Sequence, residues 1–308
     1  MFKNTSPHTI AIYQALLVTF LWSTSWVLIK IGLSGIPAIT FAGLRYSLAF
    51  VCLLPLLLRP GELAAMRSLP ASAWVRLLAL GLLYYTLTQG ALFVSLAYLP
   101  AVTVSLLYNF SPILVALLGI PLLVERPSTW QWLGVVLSIA GATLYFYPVA
   151  LPGGELIGFV AVTIGVIANA GSSILGRQIN RVGNIPPLGV TAVSMGFGAF
   201  VLLSAGIVRD GVPAISLSNW AIIAWLALVN TAFAFTLWNH TLRTLSAVES
   251  SVINNTMLIQ IAILAWIFLG ERLTWQEVAG LVVSGLGVVI LQLRMPTRGF
   301  SWRPKIEP

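Results

Sequence analysis

A duplication constrains this chain more than any other feature. Residues 101–142, AVTVSLLYNFSPILVALLGIPLLVERPSTWQWLGVVLSIAGA, return as residues 247–288, AVESSVINNTMLIQIAILAWIFLGERLTWQEVAGLVVSGLGV, without a gap. The offset is 271 − 125 = 146 residues, read from Glu125 and Glu271. Ala101/Ala247, Ser105/Ser251, Asn109/Asn255, Glu125-Arg126/Glu271-Arg272, Gly134/Gly280, Ser138/Ser284 and Gly141/Gly287 coincide, and with the further apolar identities about a third of the aligned positions match. Internal similarity of this kind sets the architecture before any local reading does. Apolar composition alone would match Leu to Leu by chance. It would not bring an Asn, a Glu-Arg pair and a ladder of Gly and Ser into register.

The repeated unit is too apolar for water. Hydrophobic residues make up 58% of the chain and charged residues only 8%, against about 25% charged in a soluble domain. Runs of about 20 apolar residues, long enough for a bilayer core of about 30 Å, recur throughout. We read ten spans, at 10–33, 38–58, 72–96, 100–123, 129–148, 155–179, 187–208, 217–242, 246–269 and 274–293. Each must be helical, because an unpaired backbone group in hydrocarbon costs several kcal/mol. The fold class is an all-α polytopic membrane protein: ten transmembrane helices in two inverted five-helix repeats, residues 10–148 and 155–294. Gly35-Ile36-Pro37, Arg59-Pro60-Gly61, Pro152-Gly153-Gly154, Pro186-Pro187 and Asp210-Gly211 punctuate the spans. No connection is large enough for a soluble domain, and the first apolar run is too long for a signal-peptide core.

Orientation follows from Lys and Arg. With the N-terminus in the cytoplasm, twelve of the basic residues fall on the inner side, among them Arg59, Arg67, Arg76, Arg177, Arg243 and Arg294; Lys30, Arg45, Arg209 and Arg272 are left outside. That asymmetry places both termini in the cytoplasm. The net charge of +8 then reads as orientation charge against lipid headgroups rather than as a nucleic-acid surface. Five spans per copy, an odd number, turn the second copy upside down relative to the first.

The entries to spans five and ten each carry a capping box, Ser128-Thr129-Trp130-Gln131 and Thr274-Trp275-Gln276-Glu277. Gly134, Ser138 and Gly141 follow in one, and Gly280, Ser284 and Gly287 in the other; small residues at helical spacing let two backbones approach closely in lipid. Arg45, Glu125 and Glu271 join these glycines as structural residues. The remaining polar residues sit elsewhere: Trp22 and Trp26 in span one, Tyr84, Tyr85 and Gln89 in span three, Tyr108 and Asn109 in span four, Asn169 in span six, Asn230 in span eight, Asn254 and Asn255 in span nine. Side chains of this type at mid-depth face protein or a water-filled space. Taken singly, each is open to simple helix-to-helix hydrogen bonding. Taken over six helices, a central substrate-binding cavity is the better explanation. Pro112 removes a donor to the Tyr108 carbonyl, and we read it as a kink without ligand contact.

The same residues exclude most chemistry. Asp210 is the sole aspartate, there is one cysteine (Cys52), and two histidines do not make a catalytic zinc site. No Gly-x-Ser-x-Gly elbow, phosphate-binding loop with Lys, or potassium-type filter is present. Neither enzyme, cofactor nor metal is expected. For a proton relay, which wants a carboxylate deep in the bundle, the sequence offers only Glu249, at an edge, and it reads as a helix cap or a partner of Arg243.

Two five-helix repeats, each with an Asn in its fourth helix, a Glu-Arg turn, a capped fifth helix and a Gly-x6-Gly stripe, resemble the EamA repeats of the drug/metabolite transporter superfamily. Phe41-Ala42-Gly43-Leu44-Arg45 after a Gly/Pro turn resembles that family's first repeat, although the second copy has Thr191 where Arg45 would repeat. The resemblance implies a ten-helix inner-membrane carrier with a cavity lined by helices one, three, four, six, eight and nine. Helices five and ten would pack peripherally. It further implies a small-molecule substrate, exported by alternating access in a lipid bilayer by a monomer or homodimer, with no nucleic acid involved. Neutral or zwitterionic metabolites such as amino acids fit a cavity of Trp, Tyr and Asn. Sugar phosphates, nucleotide sugars or lipids are the alternatives.

Overall fold

The computed structural model describes residues 7–123, 128–148, 153–182, 185–245 and 247–293. Among these residues no strand forms, and ten helical passes account for the chain. They are α1 (Pro7–Gly32), α2 (Ala38–Leu57), α3 (Ala71–Tyr98), α4 in two segments (Ala101–Tyr108 and Ser111–Leu123), α5 (Thr129–Phe146), α6 (Leu156–Val182) and α7 (Pro187–Asp210). Then follow α8 in three segments (Leu217–Ala227, Leu228–Phe233 and Ala234–Thr241), α9 (Ala247–Leu269) and α10 (Trp275–Leu293). Nine passes among the described residues are long and apolar enough to cross a membrane. The other is α5, 18 residues long, whose polar capping turn and two Trp dilute its apolarity. A short helix, Pro60–Arg67, occupies what the sequence marks as a turn and buries Met66. Pro at its first position needs no amide partner there.

The capping boxes form at both places where the sequence puts them. Ser128 Oγ accepts from Gln131 N at 3.3 Å while Ser128 N donates to Gln131 Oε1 at 2.7 Å. Thr274 and Glu277 repeat the exchange at 3.3 and 2.6 Å. The helices so started, α5 and α10, pack on each other through their small residues. A methyl built on Gly134 would lie 2.7 Å from Gly287 O, and one on Gly141 2.6 Å from Gly280 O. The pairing 134 with 287 and 141 with 280 means the two helices run antiparallel. Ser138 Oγ donates across the contact to Ser284 O at 3.3 Å. With nothing but hydrogen at Cα, the backbones reach van der Waals contact in a setting where lipid offers no hydrophobic drive for association.

The other equivalent pair, α2 and α7, crosses in the same sense: Gly43 lies against Leu203 and Thr40 against Gly206. In contrast α1 and α9 run parallel, tied by Gln260 to Ser23 (2.9 Å) and Thr19 (3.3 Å) and by His8 to Glu249 (2.8 Å). So His8 is an ion-pair partner of Glu249, for which the sequence suggested a helix cap or Arg243. Glu271 accepts from the first amides of α4, Ala101 N at 2.7 Å and Val102 N at 3.2 Å, a charge-assisted cap at the positive end of a helix. Lys30, at the end of α1, donates to Leu96 O and Leu99 O at the end of α3, at 2.8 and 2.5 Å. Glu125 lies outside the described residues.

Two π-helical segments interrupt the α-helices, Gly81–Gln89 in α3 and Leu228–Phe233 in α8. They fall at matching places in the two repeats: 228 − 146 = 82 and 233 − 146 = 87. In each, a threonine hydroxyl reaches back five residues, Thr88 to Leu83 O at 2.8 Å and Thr231 to Leu226 O at 2.9 Å. The widened turns rotate the side chains that follow them. Such segments gather at functional sites; the first lines the interior space described below, and Phe235, two residues past the second, lines it too.

Candidate functional site: a polar aromatic chamber

Two adjoining chambers lie among the helices, of about 280 and 140 Å³, sharing Trp26, Tyr108, Asn254 and Met257 as common walls. That scale suits a small molecule. From α1 come Trp22, Ser25 and Trp26, one face at helical spacing. Trp22 packs on Phe235 and Trp238 with ring centroids 5.1 and 5.3 Å apart, and its indole Nε1 donates to Asn230 O at 3.1 Å. Trp26 meets Tyr108 edge-on at 6.2 Å.

The π segment of α3 supplies Tyr84, Thr88 and Gln89 to the larger chamber. In a π-helix, residues five apart share a face, which puts Tyr84 and Gln89 on the same wall. Tyr108 ends the first segment of α4, and its hydroxyl donates to Thr88 O at 2.8 Å. The chain breaks there because Pro112 has no N–H for the carbonyl of Tyr108, and the second segment begins at Ser111. The break leaves Asn109 on the smaller chamber. Asn169 of α6 lines the larger one and holds the break by donating to Ser111 Oγ at 3.0 Å. Gly165, one turn earlier on α6, is where the Tyr108 hydroxyl fits: a methyl on it would sit 2.0 Å from that oxygen.

Of the expected binding residues, Trp22, Trp26, Tyr84, Gln89, Tyr108, Asn109, Asn169 and Asn254 line these chambers. Three do not. Tyr85 is buried behind Tyr84, its ring 4.9 Å from Tyr84 and 5.4 Å from Tyr46. Asn230 is fully buried and clasps α8 to α1, donating to Leu21 O and to Thr24 Oγ1. Asn255 faces α10, donating to Gln292 Oε1 at 2.7 Å. Depth along a helix is readable from sequence; azimuth is not, because a membrane helix apolar all round gives no amphipathic stripe to orient it.

The converse error concerns α2. Assigned a structural role and no share in the lining, α2 contributes Arg45 and Tyr46 to the chamber wall. Arg45 is 5% exposed; its Nε–H donates to Thr231 Oγ1 at 3.3 Å and its guanidinium carbon stands 5.2 Å from the Tyr46 ring centre. The π segment of α8 makes the first contact possible: Thr231 spends its own proton on Leu226 O and turns a lone pair to the arginine. Leu92, Phe235 and Met257 complete the apolar part of the wall. A signal was available in the sequence, since an arginine inside an apolar span is costly enough to demand a use.

Residues 9–147 and 156–293 each match the family model described as "EamA-like transporter family". The uncharacterized transporter YoaV of Bacillus subtilis (strain 168) is 25% identical over 280 residues, 88% of this chain and 92% of that protein. Protein PecM of Dickeya dadantii (strain 3937) is 26% identical, covering 79% of this chain and 81% of its own length. The uncharacterized inner membrane transporter YedA of Escherichia coli (strain K12) is 25% identical, covering 94% and 92%. A solved crystal structure of a protein superposes with a TM-score of 0.65 at 18% identity, over 94% of this chain and 99% of that one, which speaks to fold alone.

Proposed function

From the premise that this chain belongs to the EamA-like transporter family, and is a multi-pass membrane transporter of that type, we propose a substrate and a mode of working. It is a secondary-active carrier of the inner (plasma) membrane that exports small neutral or zwitterionic metabolites, amino acids foremost, by alternating access. The observation that carries this is the chamber: about 280 Å³, walled by Trp, Tyr, Asn and Gln from both halves, with no carboxylate among the described residues of its lining. Aromatic faces hold an ammonium group by about 0.5–2 kcal/mol, while amide groups offer hydrogen bonds to either end of a zwitterion.

The antiparallel crossings of α5 with α10 and of α2 with α7 support two halves inserted in opposite senses, the arrangement that gives one site two exits. Both termini then lie in the cytoplasm, as the Lys and Arg distribution suggests. A phosphorylated substrate would recruit several cations, and among the described residues Arg45 is the only one in the chamber wall. A lipid substrate would need a route to the bilayer. The large apolar groove between α9 and α10, about 640 Å³, shares no lining residue with either chamber.

The test is counterflow in proteoliposomes preloaded singly with each member of a panel of amino acids, sugar phosphates and nucleotide sugars. Saturable exchange of at least one amino acid supports the reading. Exchange confined to sugar phosphates or nucleotide sugars across the same panel overturns the substrate assignment.

A further inference from the structure

We propose that Arg45 is the anchor for a substrate carboxylate, so the chamber selects monoanions and carboxylate-bearing zwitterions over amines and amides. This deepens the carrier reading and depends on it only for the flux arm of the test below.

Arg45 is 95% withdrawn from solvent by its 5% relative exposure, in a span that the sequence places in hydrocarbon. A buried guanidinium without an opposing charge is expensive, and proteins ordinarily pair it with a carboxylate. Among the described residues no carboxylate comes within ion-pair distance of it; the ion pairs found are His8 with Glu249 and Arg209 with Asp210. Its hydrogen bond to Thr231 uses Nε alone and is long, at 3.3 Å. The two terminal nitrogens, four N–H groups in a planar fork, remain for the chamber that Arg45 lines. That fork fits two carboxylate oxygens side by side.

The surroundings fix the arginine rather than neutralise it. Thr231 holds Nε from one side and the Tyr46 ring lies along the guanidinium at 5.2 Å. With its stem so held, little freedom is lost when a ligand binds. Among the described residues the lining contains no second cation and no anion, so Arg45 gives it a formal charge of +1. A monoanionic carboxylate closes that charge. A phosphate dianion would leave one negative charge unmatched, and a free amine would add a second positive one. The substrate's remaining end falls among Trp22, Trp26 and Tyr84, whose faces accept either an ammonium group or an apolar body.

The experiment compares matched ligands on the purified full chain by thermal shift and titration calorimetry. The panel is the proteinogenic L-amino acids, the amide and the decarboxylated amine of each binder, and glycerol 3-phosphate. We expect at least one amino acid to bind, with its amide and amine about tenfold weaker or more. Arg45→Gln should bring acid and amide to equal affinity, and Arg45→Lys should retain part of the preference. The unliganded Arg45→Gln protein should melt no lower than wild type, because it loses an uncompensated buried charge. The inference is overturned by acid and amide binding wild type within about threefold, by a preference that survives in Arg45→Gln, by a panel in which only amines or glycerol 3-phosphate bind, or by no binding at all. The acid–amide comparison on wild type stands even if a variant misfolds. Proteoliposome flux separates the two readings. Preferred acid binding without any flux removes the carrier and leaves the anchor; equal flux of acid and amide in wild type and Arg45→Gln removes the anchor and leaves the carrier.

Discussion

At the scale of single residues, two neighbouring asparagines show how far depth and direction diverge. Asn254 and Asn255 differ by one position and so by about 100° around α9. Asn254 lines both chambers, while Asn255 is bonded to Gln292 of α10. Asn254→Ala should lower transport several-fold with little change in melting temperature. Asn255→Ala should do the reverse: transport per folded molecule unchanged, stability down by about 0.6 kcal/mol for the lost interhelical bond. Counterflow and thermal denaturation of the two variants in parallel check both. The sequence marked both residues equally, since each is an Asn near the middle of an apolar run. A second residue-scale expectation concerns Gly165. Any side chain there collides with the Tyr108 hydroxyl, and the ring that separates the two chambers must move. Gly165→Ala should therefore impair transport although Gly165 itself lines neither chamber, which a kinetic comparison with wild type would reveal.

At the scale of elements, the small-residue stripes of α5 and α10 behave as the repeat suggests. Their contact is backbone on backbone: the atoms that a methyl on Gly141 would meet, Ser284 N and Gly280 O, belong to the main chain and have no rotamer in which to retreat. Gly141→Ala should then destabilise by about 1–3 kcal/mol, the range for overpacking, read as a lowered melting temperature in detergent. Ser128→Ala removes one capping partner and should cost about 1 kcal/mol without changing substrate preference. The capping boxes were legible because each rests on four consecutive residues. The π segments were not. The first lies where Gly198 of α7 presses on Gly81 O of α3, and in both a threonine hydroxyl takes up a carbonyl five residues back; nothing in local sequence distinguishes Thr88 or Thr231 from other threonines in apolar helices.

For the whole molecule, the halves are joined by bonds that reach from one repeat into the other. Glu271 of the second caps α4 of the first, and Gln260 of α9 holds Ser23 and Thr19 of α1. The exchange means that neither half forms a site by itself: the larger chamber takes Trp22, Arg45 and Tyr84 from one and Asn169, Phe235 and Asn254 from the other. Opposed insertion has a direct check. Reporter fusions at the two chain ends should both be active as cytoplasmic reporters, and a periplasmic signal from one end with a cytoplasmic signal from the other would break the inverted arrangement.

The sequence by itself determined that this chain is a duplicated, all-helical membrane protein with capped fifth helices and glycine faces, because hydrophobic length, repeat register and capping chemistry are local properties of the chain. Only the tertiary structure decided which polar residues share a chamber. That choice depends on the rotation of each helix about its axis, on two π-helical turns and on a proline break. All are settled by packing between helices distant in sequence, and it is this packing that turned Arg45 from a buried strut into the one charge the chamber presents.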